Sequence, residues 1–269
     1  MSFSPEEISI LAAFADELAD AAREQSLSRF RDGVKISEKD GPVFDPVTDA
    51  DREAERVQRR LIEERFPDHG ILGEEFGELP GNSPWRWVLD PIDGTRAYMC
   101  GTTSWTTLIG LEYEGQPVFG LIDQPYTGER WVGTNKKSDF SRTSNRKAAK
   151  TSGVTDIANA RISTTDPLPT AYFGAAGAAA FARVAAAARV ARFSLDAYAY
   201  GLLAIGEMDV VIETGLQRYD YAALLPVVRG AGGVVSNWNG DEPGTDDRGE
   251  LVASASVELH QSTLALLAG

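Results

Sequence analysis

WVLDPIDGT, residues 87–95, runs apolar residues straight into Asp90 and Asp93, separates the two acids by Pro91 and Ile92, and follows them at once with Gly94 and Thr95. Trp87, Val88 and Leu89 read as the end of a buried strand, because a short apolar run closed by chain breakers is what a doubly covered strand looks like. Asp90 and Asp93 then fall where that strand leaves the sheet. Pro91 fixes the backbone there, so Asp90, the Ile92 carbonyl and Asp93 can turn to one side and share two cations. Gly94 lets the backbone approach a ligand closely. The amides of Gly94 and Thr95 would open the next helix, where unpaired N–H groups and the helix dipole favour an anion. The expectation is a strand end that holds metal beside a helix start that holds phosphate. An ordinary turn fits less well, since a buried strand leading into two acids makes a poor hairpin.

Working outward, other acids fall at the ends of predicted elements: Asp45-Pro-Val-Thr48-Asp49-Ala-Asp51, Gly73-Glu74-Glu75, and Asp220 within Arg-Tyr-Asp-Tyr. Carboxylates gathered on one sheet edge repel one another and persist where cations neutralise them. Oxygen ligands without a cysteine or histidine cluster select a hard ion such as magnesium and disfavour zinc. Taken singly, Asp49 or Asp220 reads equally as a helix cap, and Glu74-Glu75 as a solvated turn.

The remaining sequence supplies the frame. Ser4-Pro5-Glu6-Glu7 is a helix start, and Ile8, Leu11, Ala12, Ala15 and Leu18 give it one apolar face. Thr48–Asp51 opens a second helix with Ala54, Val57 and Leu61 as its stripe, and Pro67 ends it. Strand-like runs follow at 70–72, 85–89, 106–112, 118–122 and 130–133, divided by turns such as Glu114-Gly115-Gln116-Pro117. The first half therefore reads as helices on a mostly antiparallel sheet. After a basic stretch at 136–150, expected to be a solvated loop, strands at 160–165, 190–193, 210–213, 233–237 and 251–254 alternate with helices at 175–188, 197–205, 221–230 and 257–268. That alternation predicts a second α/β layer.

A chain of 269 residues with 43% hydrophobic content can bury a large core. Its net charge of −14 argues against nucleic acid as a partner. The alanine-rich run from Ala171, interrupted by Arg183, lacks the hydrophobicity of a membrane span. One cysteine, Cys100, and an N-terminus without a signal pattern make the cytoplasm the expected address. His69 and His260 are expected on the surface.

DPVTDAD (45–51), GEE (73–75), DPIDGT (90–95) and YDYAA (219–223), in that order, resemble the motifs of the inositol monophosphatase superfamily of magnesium-dependent, lithium-sensitive phosphomonoesterases. The resemblance implies a layered αβαβα sandwich, often a homodimer. Residues 1–150 would form an N-terminal half with most metal ligands, and 151–269 a C-terminal half with Asp220 and the substrate side. It implies that Glu74, Asp90 and the Ile92 carbonyl bind a first magnesium, and Asp90, Asp93 and Asp220 a second, with a weaker third near Glu74. Thr95 with Asp51 would activate the attacking water, and the Gly94 and Thr95 amides would hold the phosphate.

Three segments, 120–131, 194–201 and 213–220, are more similar to the histidinol-phosphate phosphatase branch than to the inositol branch. Histidinol phosphate carries an ammonium and an imidazole, which Asp196 and Glu213 would suit through charge-assisted hydrogen bonds. Glu213 also resembles a residue that binds hydroxyls in the inositol branch, and Asp196 also reads as the cap of the following helix. The leading expectation is a histidinol-phosphate phosphatase acting in histidine biosynthesis. The alternatives are an inositol or broad-specificity monophosphatase, a nucleotide-phosphate phosphatase, and a non-catalytic acidic metal-binding protein on the same fold.

Overall fold

The computed structural model describes residues 3–33, 36–38, 46–143, 145–244 and 248–269; Asp45 lies outside them. Helix α1 (Pro5–Arg29) starts at the predicted capping box of Ser4 and Glu7. Its Leu11, Ala15 and Leu18 are buried, with Ile8 and Ala12 packed beside them. A short pair of strands, β1 (Ile36–Glu38) and β2 (Pro46–Thr48), precedes α2 (Asp49–Arg65). Thr48 caps α2 in a box closed by Asp51. The buried face of α2 differs from the expected stripe: Val57 and Leu61 are half-buried, whereas polar Asp51, Glu55 and Gln58 are fully buried beside Ala54 and Ile62. Glu55 on that side bonds the turn after β3, so the face bonds there as well as packs.

The first sheet comprises β3 (Gly70–Gly73), β4 (Gly77–Leu79), β5 (Trp85–Asp93), β6 (Thr106–Tyr113), β7 (Gln116–Gln124), β8 (Glu129–Thr134), β9 (Lys137–Arg142) and β10 (Asn145–Ala148), with the short helix α3 (Thr95–Met99) between β5 and β6. Its order is β10-β9-β8-β7-β6-β5-β3-β4. All pairs are antiparallel except β3 with β5. Two corrections arise here. The basic stretch expected as a loop forms the β9–β10 hairpin at the sheet edge, where β8 supplies a ladder that the sequence of β9 need not earn alone. Charged residues on β10 also suit an open edge. And β5 does not end at Leu89 but continues to Asp93.

The second sheet comprises β11 (Arg161–Thr164), β12 (Val190–Phe193), β13 (Val210–Glu213), β14 (Val234–Ser236) and β15 (Leu251–Ser254) in the order β12-β11-β13-β15-β14. The helices of this half are α4 (Gly174–Ala187), α5 (Tyr198–Ala204), α6 (Arg218–Tyr221), α7 (Leu224–Gly230) and α8 (Val257–Ala268). Helices α1 and α2 cover one face of the first sheet, α5 and α7 lie between the sheets, and α4 with α8 covers the outside of the second. The result is the expected αβαβα stack. The middle core joins Leu108, Ile122 and Trp131 of the first sheet to Val211, Leu251 and Ala253 of the second.

One packing detail decides where Asp220 sits. Gly110, Gly120 and Gly133 stand side by side on β6, β7 and β8. A side chain at Gly120 would collide with the Ala223 carbonyl, and a Cβ at Gly133 would lie 2.6 Å from the Val227 Cα. This bare strip lets the backbone just after Asp220 rest on the sheet.

Both histidines depart from expectation. His260 is only 5% exposed, held between Ser236 (2.8 Å) and Ser254 (3.1 Å). Burial lowers its pKa to about 4. His69 is half-buried, stacks on Phe66 and accepts the Trp87 indole N–H.

Candidate metal and phosphate site

The strand that carries Asp90 and Asp93 breaks register against β6 between those two residues. A bulge re-aims side chains at a strand end, and local bonds hold this one. The Pro91 carbonyl accepts from Thr107 (2.8 Å) and the Ile92 amide donates to Asp90 (3.1 Å). Asp90 is buried at 2% exposure. Asp93 accepts the Ala197 amide at 2.7 Å, which ties the strand end to the start of α5. Asp220 is the third residue of α6 and accepts the Gln217 amide at 2.6 Å. One oxygen from each of Asp90, Asp93 and Asp220 comes within 4.8 Å of the others.

A second group lies alongside. One oxygen each of Asp51, Glu74 and Glu75 falls within the same 4.8 Å limit. The Glu74 amide donates to Leu89 at 3.1 Å, extending the β3–β5 pairing by one step and setting Glu74 next to Asp90. Asp51 uses one oxygen to accept the Thr48 amide (2.9 Å) and hydroxyl, while its other oxygen lies 3.5 Å from the Thr95 hydroxyl. That hydroxyl is closer to the Ile92 carbonyl, at 3.2 Å. Glu75 is part of this group too, although the family resemblance makes only its neighbour Glu74 a ligand. Its side chain is only 2% exposed and faces Arg52 at 3.7 Å.

The electrostatics favour a cation among these acids. Burial first, then the negative charges of Glu74, Asp93 and Asp220, push Asp90 well above the carboxylate range. Burial likewise raises Asp93, with Asp196 and Asp220 adding to it. Asp51 is pushed up to about 7, again chiefly by burial. Six carboxylates with no cysteine or histidine among them form an oxygen-only donor set, which fits a hard divalent cation.

Gly94 adopts a left-handed backbone, φ 84°, at the N-terminus of α3, with Thr95 as the first helical residue. Only five residues long, α3 adds little dipole, so any anion there is held by individual amides. Asp196 stands directly against this turn: a Cβ on Gly94 would lie 3.1 Å from the Asp196 Oδ2. Asp196 does not cap α5, whose capping position is Ala197 without a side-chain bond. Instead Ser194 and Asp196 both hold left-handed conformations, φ 58° and 49°, a strain of about 1–3 kcal/mol each that typifies functional turns. Glu213 is buried at the end of β13 and accepts the Thr165 amide and hydroxyl at 2.8 and 2.9 Å. Thr165 also bonds Asp196, and Arg96 opposes the rise that burial gives Asp196, which stands at about 6. Burial carries Glu213 to about 8. Thr165 and Arg96 were not singled out from the sequence; Thr165 carries no local signal, since its partners lie 31 and 48 residues on.

An αβαβα stack with two oxygen-only carboxylate groups at a strand end, beside a left-handed glycine turn, fits a metal-dependent phosphomonoester hydrolase. The inositol monophosphatase family pattern matches residues 7–268, and this chain belongs to that family. It is 37% identical to the bifunctional phosphatase IMPL2 of Arabidopsis thaliana over 97% of this chain and 76% of that protein. It is 31% identical to a histidinol-phosphatase of Chlorobaculum parvum, covering 93% of this chain and 94% of the other. Among solved structures, an inositol monophosphatase from Zymomonas mobilis superposes with a TM-score of 0.84 at 35% identity, over 99% of this chain and all of that one. No described helix is long and apolar enough to cross a membrane.

Proposed function

We propose that this enzyme is a magnesium-dependent phosphatase that converts L-histidinol phosphate to L-histidinol and phosphate. The observation that carries the substrate assignment is Asp196: a half-buried carboxylate, in a strained turn, pressed against Gly94 and joined through Thr165 to Glu213. A leaving group with an ammonium and an imidazole brings cationic donors to such a pair, whereas a polyol brings only neutral hydroxyls. The similarity to a histidinol-phosphatase over nearly the whole chain supports the same reading.

We assign Glu74, Asp90 and the Ile92 carbonyl to one ion and Asp90, Asp93 and Asp220 to another, with a weaker third near Glu74. Magnesium bound there would acidify a water and offset charge on the leaving oxygen. The Thr95 hydroxyl, held by Ile92 and within reach of Asp51, orients the attacking water, and Asp51 takes up its proton. The amides of Gly94 and Thr95 hold the phosphate, while Asp196 and Glu213 bind the leaving group. Lithium is expected to inhibit, and a cytoplasmic homodimer is the expected form of the enzyme.

The test is phosphate release with magnesium from histidinol phosphate and inositol 1-phosphate side by side. A hundredfold preference in kcat/KM for histidinol phosphate, about 2.7 kcal/mol of differential transition-state binding, supports the assignment. A tie, or a preference for inositol phosphate, rejects it in favour of the inositol or broad-specificity reading, with Glu213 as the hydroxyl-binding group.

A further inference from the structure

Glu55 is a fully buried carboxylate on α2, one helical turn beyond Asp51 and on the same face. It lies outside both carboxylate groups described above. Its two oxygens accept the backbone amides of Glu75 (2.7 Å) and Phe76 (3.2 Å). Arg59, one turn further along α2, donates to the same carboxylate at 2.7 Å and also to the Gly77 carbonyl. Gly73 completes the arrangement, because any side chain there would collide with the Glu55 carboxylate. The turn from Gly73 to Gly77 is thus fastened on both sides: to β5 through the Glu74 amide on Leu89, and to α2 through Glu55.

A buried carboxylate needs its charge balanced, and Arg59 alone would do that at a surface site. Glu55 instead reaches inward to the amide of Glu75, one of the two residues that present acids to Asp51, and to that of Phe76 next to it. Because Asp51 and Glu55 share one rigid helix, Glu55 sets the spacing between Asp51 and the Glu74–Glu75 pair. Groups that orient metal ligands in this way typically govern affinity without touching the ion.

We infer that Glu55 is a positioning residue that fixes the Glu74–Glu75 turn against Asp51 and thereby sets the enzyme's affinity for divalent metal. This rests on the metal assignment proposed above. Glu55→Gln keeps the volume but replaces one acceptor oxygen by an NH2 group, which must face either an amide N–H or Arg59. At least one bond is lost.

The experiment is calorimetric titration of magnesium into the full-length metal-free chain, its Glu55→Gln variant and an Asp90→Asn control, with thermal unfolding of each. Glu55→Gln is expected to fold and to bind magnesium tenfold or more weakly, with kcat recovering close to that of the unaltered enzyme once magnesium is saturating. A folded Glu55→Gln protein that binds magnesium as the unaltered chain does, while Asp90→Asn loses binding, overturns this inference alone. Unchanged binding in Asp90→Asn overturns the metal assignment and the inference with it. Should Glu55→Gln fail to fold, hydrogen exchange on the unaltered metal-free chain decides. Protected Glu75 and Phe76 amides uphold a turn held ready for metal, and freely exchanging ones reject it.

Discussion

Removing metal and changing pH should expose the strain of the carboxylate cluster directly. Burial raises Asp51 from 3.8 to about 7 in the folded chain, a difference worth about 4 kcal/mol. A carboxyl whose folded pKa lies above its unfolded value gives stability that is complete below the unfolded pKa and lost as pH rises through the folded one. Between pH 5 and 7 the folded state therefore holds a proton that the unfolded state has released, and stability falls by about 1.4 kcal/mol per pH unit for that group alone. Asp90 and Asp93 are shifted the same way, so they add to the loss.

A cation among these acids reverses the balance by favouring their charged forms. The stabilisation conferred by magnesium should then grow by about 2.5 kcal/mol or more from pH 5 to pH 7. Urea unfolding followed by the fluorescence of the five tryptophans, in magnesium and in chelator, measures it. The difference between the two curves is the quantity to read. His260, lowered to about 4 by burial, has the opposite sign and loses stability as pH falls below 6.5, but it contributes equally with and without metal. Glu213, raised to about 8, likewise cancels. A magnesium effect of the same size at pH 5 and pH 7 would refute the reasoning.

Three substitutions test other parts of the site. Asp93→Asn keeps an acceptor for the Ala197 amide, so circular dichroism should show a folded protein while phosphate release disappears; unchanged turnover sinks the two-ion assignment. Asp196→Ala removes the acid against Gly94 and should cut kcat/KM for histidinol phosphate tenfold or more, a charge-assisted contact worth about 1.5–3 kcal/mol, with little change for inositol 1-phosphate. Gly120→Ala sets a methyl group against the Ala223 carbonyl and should cost about 3 kcal/mol or more in urea unfolding, while weakening magnesium binding by displacing Asp220.

Much of this was legible in the chain because its signals are local. The capping boxes at Ser4 and Thr48 lie within four residues each, and the turn expected over 114–117 is there, though it closes in the left-handed pair Glu114-Gly115 with Gln116 and Pro117 already in β7. The Asp90–Thr95 stretch likewise announces a strand end and a helix start. What escaped depends on partners distant in sequence. The β9–β10 hairpin takes its order from β8, and His260 looks like a surface residue until Ser236 and Ser254 close around it. Glu55 reads as one more charged helix position because the amides it holds lie about twenty residues away.

Asp220 shows how the fold and the site depend on each other. It is 127 residues beyond Asp93, and no local pattern brings the two together. The column of Gly110, Gly120 and Gly133 does, by removing every side chain that would keep the Ala222–Val227 backbone off the sheet. The close approach stabilises the middle core through Leu224, Leu225 and Val227, and it also forces a third carboxylate against two that already repel. Metal-free, the packing gain works against the charge repulsion; with a cation bound, both favour the same geometry. Stability and metal affinity should therefore fall together when the glycine column is filled. They should part company when a carboxylate is neutralised, since Asp93→Asn relieves the repulsion in the metal-free chain even as it removes a ligand.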